Sequence, residues 1–97
     1  MMVLVTYDVS TVSNSGKKRL NKIAKICVDY GLRVQNSVFE CNVDSTQWMV
    51  FRNKLLKTYN KNEDSLRFYN LGGKWERKVE HHGTKEVPNI EKDTLIV

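Results

Sequence analysis

Met1-Met2-Val3-Leu4-Val5-Thr6-Tyr7-Asp8 is the stretch from which the fold can be read. It is the most apolar run in the chain, rich in strand-forming residues, and it stops on a carboxylate. With a period of two, Val3, Val5 and Tyr7 share one face and Leu4, Thr6 and Asp8 the other. Both faces begin apolar, which places this strand in the middle of a sheet with something packed on each side. Asp8 then stands where the strand gives way to the polar Ser10-Thr11-Val12-Ser13-Asn14-Ser15 loop. The end of a rigid element is a natural position for a functional carboxylate.

Outward from that strand, Gly16 to Tyr30 has Leu20, Ile23, Ala24, Cys27 and Tyr30 at helical spacing, with Gly31 as the stop. Lys18, Lys22 and Lys25 fall on its outward face, and Lys17 and Arg19 lie near its start. Cations in a first turn oppose the helix dipole, so they suit a ligand as well as a solvated face. Leu32 to Val43 alternates as one strand, with Val34 and Val38 on one side and Arg33, Gln35, Ser37, Phe39 and Cys41 on the other. Asp44 or Ser45 caps a second helix to about Tyr59, striped by Trp48, Phe51, Leu55 and Tyr59. Asp64 to Leu71 returns as a strand, Gly72-Gly73 signals a hairpin, and Lys74 to Glu80 is expected to run back as a further strand.

Two helices crossing to a four-stranded sheet, with both apolar stripes on one side, describe an α+β sandwich of the ferredoxin-like βαββαβ kind. The uncovered sheet face would carry Leu4, Thr6, Arg33, Gln35, Ser37, Phe39, Arg67 and Tyr69. That mixture is too apolar to stay wet, and a second copy of the chain is its simplest cover. Thr94-Leu95-Ile96-Val97 reads as an additional C-terminal strand, so residues 86–97 are expected to be a linker and strand docking on a partner subunit.

At 97 residues the chain makes a single domain, 1–97, which buries roughly 60–70% of its unfolded surface and has no room for a deep pocket. A formal charge of +5 favours a polyanionic partner, nucleic acid before membrane. The apolar start is too short to span a bilayer, and cytoplasm is the expected compartment. Cys27 and Cys41 lack metal or redox spacing and are expected to be buried, reduced thiols.

Tyr7-Asp8-Val9 closing the first strand, Lys18-Arg19-Leu20 opening a helix and the block from Gly31 to Glu40 together resemble the small Cas-two family of CRISPR systems. Asp64-Ser65-Leu66-Arg67-Phe68-Tyr69 and Val79-Glu80-His81-His82-Gly83 extend the likeness over nearly the whole chain. Arg33-Val34-Gln35 with Ser37-Val38-Phe39-Glu40 beyond it is its specific part. The resemblance implies a homodimer whose last strand crosses to the partner. It further implies spacer acquisition alongside the Cas-one integrase, metal-dependent endonuclease activity, and magnesium held by Asp8.

Chemistry bears on that implication independently. Magnesium takes oxygen ligands, usually one or two carboxylates plus substrate phosphate, and other divalent ions can substitute. A single Asp8 is a poor site, but two copies facing across a two-fold axis would supply the missing charge for phosphodiester hydrolysis. The bland alternative for Asp8 is a turn-forming carboxylate bonded to the backbone of residues 10–13. Lys17, Lys18, Arg19, Arg33, Arg77 and Lys78, with Lys74 nearby, are candidate phosphate contacts for duplex DNA or single-stranded RNA. Trp75 could stack on a base or simply pack. Adjacent His81 and His82 point to opposite sides of a strand and make a poor chelate, so they read as surface residues. A non-catalytic scaffold gripping duplex DNA, and a regulatory ligand-binding domain, are the competing readings.

Overall fold

In the computed structural model, residues 1–83 are described. They form β1 (Met2–Asp8), α1 (Asn14–Tyr30), β2 (Leu32–Gln35), β3 (Val38–Asn42), α2 (Ser45–Thr58), β4 (Ser65–Gly72) and a short 3₁₀ turn at Trp75–Arg77. The sheet order is β2-β3-β1-β4, every neighbouring pair antiparallel, with β1 in the interior. This is the ferredoxin-like βαββαβ arrangement expected from the sequence.

Each helix begins where a side chain can take orphan backbone donors. Ser13 Oγ accepts from the Gly16 N–H at 3.1 Å. At α2, Asp44 and Gln47 form a reciprocal capping box, with contacts of 2.7 and 2.9 Å. Gly31 closes α1 by donating its N–H to the Cys27 carbonyl. Its backbone is extended, so space rather than dihedral freedom selects glycine: an added Cβ would lie 2.4 Å from Cys41 Sγ.

The core fills the gap between the helices and one sheet face. Val3, Val5 and Tyr7 of β1 and Phe39 and Cys41 of β3 meet Ile23 and Cys27 of α1 and Phe51 and Leu55 of α2. Trp48 packs edge-on against both Phe51 and Phe68, at centroid distances of 5.6 and 5.0 Å. These aromatics are structural, in keeping with their spacing on α2. Both cysteines are buried and unpaired, and burial pushes each thiol up to about 12.

Two expectations are corrected. Leu32 to Val43 is not one strand but a hairpin, turning at Asn36-Ser37. Phe39 and Cys41 lie opposite Val5 and Val3 of β1 and so face the helices instead of the open side, while the irregular register between Arg33 and Gln35 sets Gln35 opposite Val38, away from them. Arg33 lies over the Phe39 ring at 5.1 Å, so it too leaves the open-face set. The second correction concerns residues 74–80. Gly72 turns the chain with φ of 75°, and a 3₁₀ turn stands in place of a strand. There the Lys78 N–H bonds the Trp75 carbonyl, and Lys78 Nζ returns to the Leu71 carbonyl at 2.9 Å. The proposed C-terminal linker and strand, 86–97, lie outside the described residues.

Candidate metal and nucleic-acid site

Alternation along β1 decides which side chains reach the open sheet face. Tyr7 and Val9 are anchored in the core on either side of Asp8, which throws the Asp8 carboxylate outward. Tyr7 is fixed further by its N–H to the Ser37 carbonyl at 3.1 Å and by stacking on Phe39. Burial pushes the Tyr7 phenol above its ordinary value, and a hydrogen bond from Arg33 opposes that rise. The Asp8 carboxylate makes no hydrogen bond or ion pair among the described residues. A cleft of about 270 Å³ opens beside it, lined by Thr6, Tyr7, Asp8, Ser65, Leu66 and Arg67. Register explains the lining: Asp8 lies opposite Ser65 and Thr6 opposite Arg67, all on the open face.

The loop after Asp8 is held by a residue that sequence reasoning missed. Asp64, its side chain fully shielded from solvent, accepts from the Ser10 N–H at 3.1 Å and the Asn60 N–H at 2.9 Å. Arg19 completes the knot, with Nε 2.9 Å from Asp64 Oδ2 and Nη2 3.0 Å from Glu63 Oε2. The Arg19 hydrogen bond holds the Asp64 carboxyl below its ordinary value, outweighing the opposite pull of burial. The turn-forming task considered for Asp8 at Ser10 thus falls to Asp64. Gly16 adds a steric seat: a Cβ there would come within 1.9 Å of the Ser10 carbonyl oxygen. No short-range motif announces this arrangement, because Arg19 and Asp64 are 45 positions apart.

The candidate phosphate contacts separate by environment. Lys17 and Lys18 are exposed at the start of α1, on a helix whose first turn carries no acid. Arg19 is engaged internally by Asp64 and Glu63, whereas Arg33, exposed, lies over Phe39 and hydrogen-bonds the Tyr7 phenol. Arg77 is exposed in the 3₁₀ turn, whereas Lys78 is tied to the end of β4. His81 and His82 are both exposed, and His82 pairs with Glu80. Across the open face, burial pushes the Glu40 carboxyl up, with His81 pulling partly back. Among the described residues no group of three metal-ligating side chains converges within one chain.

Three comparisons with known proteins agree. The model of the family "CRISPR associated protein Cas2" matches residues 1–79. A "CRISPR-associated endoribonuclease Cas2" from Chlorobaculum tepidum is 56% identical over 97 residues, covering 100% of both chains. A "CRISPR-associated endonuclease Cas2" from Halalkalibacterium halodurans is 53% identical over 96 residues, covering 99% of each. The crystal structure of Streptococcus pyogenes Cas2 at pH 6.5 superposes with a TM-score of 0.75 at 53% identity, covering 86% of this chain and 100% of that one.

Proposed function

The chain belongs to the CRISPR associated protein Cas2 family, and on that premise we propose that it is a metal-dependent endonuclease whose centre is Asp8 paired across a homodimer. In this reading it works in the cytoplasm with the Cas-one integrase during spacer acquisition, and it hydrolyses phosphodiester bonds of RNA or DNA. The observation that carries the reading is the Asp8 carboxylate: exposed, at the end of an interior strand, and without a partner among the described residues.

The donor set fits a hard divalent cation such as magnesium only in part. Asp8 brings a carboxylate, and the hydroxyls of Thr6 and Ser65 line the same cleft, but one acid per chain is too little charge. A second Asp8 from a two-fold partner supplies the rest. Bound there, the ion would polarise a phosphoryl oxygen and acidify a water. The protein's part is positioning. Buried Tyr7 and Val9 and the Asp64 bond to Ser10 hold Asp8 in place. The part of the open face around Leu4 and Tyr69, with Tyr69 40% exposed, is the surface on which the partner would sit.

Asp8→Asn keeps the shape and removes the charge. Cleavage of RNA, single-stranded DNA and duplex DNA, each with and without magnesium, should fall roughly a hundredfold or more in that variant. Wild-type rates would end the catalytic assignment. A non-catalytic DNA-gripping scaffold is the second reading, favoured by the exposed Lys17, Lys18, Lys22 and Lys25 of α1. Spacer acquisition that persists in Asp8→Asn after cleavage is lost would select it.

A further inference from the structure

We propose that Arg67 is the phosphate-gripping residue of the Asp8 cleft, its guanidinium taking the non-bridging oxygens of a nucleic-acid phosphodiester. The proposal rests on the reading of that cleft as the place where the backbone is cut, and it deepens it by assigning the group that holds the substrate.

Position comes from register. Thr6 faces Arg67 and Asp8 faces Ser65 across β1 and β4, so Asp8 and Arg67 are diagonal neighbours on one sheet face. Such diagonals lie about 7–8 Å apart, within reach of a long side chain. Opposite charges so placed would ordinarily close into an ion pair, yet Arg67 and Asp8 form none. Arg67 instead lies over the Tyr69 ring at 5.5 Å. A guanidinium held over a ring keeps its N–H donors for the paired non-bridging oxygens of a phosphate.

Environment separates Arg67 from the other cations. Arg19 is spent on Asp64 and Glu63, and Lys78 on the Leu71 carbonyl. Arg67 is exposed and, among the described residues, is the only cation lining the cleft. A carboxylate suited to a metal, an unpaired bidentate donor on the next strand and a solvent-open gap between them match what a phosphodiester needs: one oxygen for the ion, another for the guanidinium. A purely structural Arg67 would keep the same contact with Tyr69 but would contribute no phosphate contact.

Binding to a single-stranded and a duplex oligonucleotide should be measured in EDTA across a salt series, for wild type, Arg67→Gln and Arg67→Lys, with melting temperatures alongside. Because no metal is present, the result does not depend on whether Asp8 catalyses. Arg67→Gln should weaken low-salt binding about tenfold and lower the log–log salt slope by about one for each subunit in contact. Arg67→Lys should restore the slope while regaining only part of the affinity. An unchanged slope in Arg67→Gln overturns the proposal, whether affinity holds or falls together with the melting temperature. Asp8→Asn run in the same series separates the two ideas. If its magnesium-dependent cleavage survives while the Arg67 slope change is seen, the catalytic reading fails and the phosphate grip stands.

Discussion

Asp64 accepts four hydrogen bonds, from Ser10, Asn60 and two nitrogens of Arg19, in a position shielded from water. Removing the carboxylate strands the backbone donors of two loops at once, and unsatisfied buried donors are costly. Asp64→Ala should therefore lower stability by about 3 kcal/mol, read as a reduced denaturant midpoint with unchanged slope. The sign with pH comes from the shift. Since the Asp64 carboxyl is depressed in the fold, its contribution is complete above the unfolded value of 3.8 and disappears as pH falls below that, through the folded value. Acid titration of wild type should show this loss below about pH 4, and Asp64→Asn should lack that component. Only Asn60, four residues back, is a local partner of Asp64; Ser10 and Arg19 arrive from a loop and a helix far along the chain, so nothing in a short window marks its role. The position of Asp8 is legible for the opposite reason: it follows from the alternation of its own strand.

Elements with a full local pattern are legible in the sequence. The α2 stripe of Trp48, Phe51 and Leu55 and the cap at Asp44 each need only a window of a few turns. The hairpin of β2 and β3 is not, since Val34 and Val38 keep apolar residues in phase across the Asn36-Ser37 turn and conceal it. Lys74 to Glu80 misleads differently: Gly72-Gly73 signals a turn without specifying the path of the chain beyond it, and the 3₁₀ turn with the Lys78 tie to Leu71 prevails. Gly31 tests how tightly these elements abut. A methyl there would lie 2.4 Å from Cys41 Sγ and 2.6 Å from the Glu40 carbonyl oxygen, while the extended backbone at Gly31 suits any residue. Gly31→Ala should cost about 1–3 kcal/mol by forcing α1 away from β3. A parallel Cys41→Ala change, which removes the blocking sulfur, should recover part of that loss in the double variant. Thermal melts of the four proteins check the cycle, and strict additivity would place the strain at the Glu40 carbonyl instead.

For the molecule as a whole, one sheet face is covered by two helices and the other bears Leu4, Thr6, Asp8, Arg67 and Tyr69. If two copies close over that face and each centre uses both Asp8 carboxylates, activity belongs to the pair and not to the chain. Subunit mixing makes this quantitative. One part wild type randomly paired with nine parts Asp8→Asn, by co-refolding, leaves about 1 in 100 dimers with two native acids. Independent centres would retain about 1 in 10 of the starting activity, and a shared centre roughly a tenth of that. Magnesium-dependent cleavage by the mixture, with sedimentation confirming complete exchange, distinguishes the two. Leu4→Lys, which introduces a charge at the middle of the open face beside Tyr69 and Glu40, should abolish the shared activity by separating the subunits while far-UV circular dichroism stays native. Retained cleavage by a monomeric Leu4→Lys protein would show that a single Asp8 suffices.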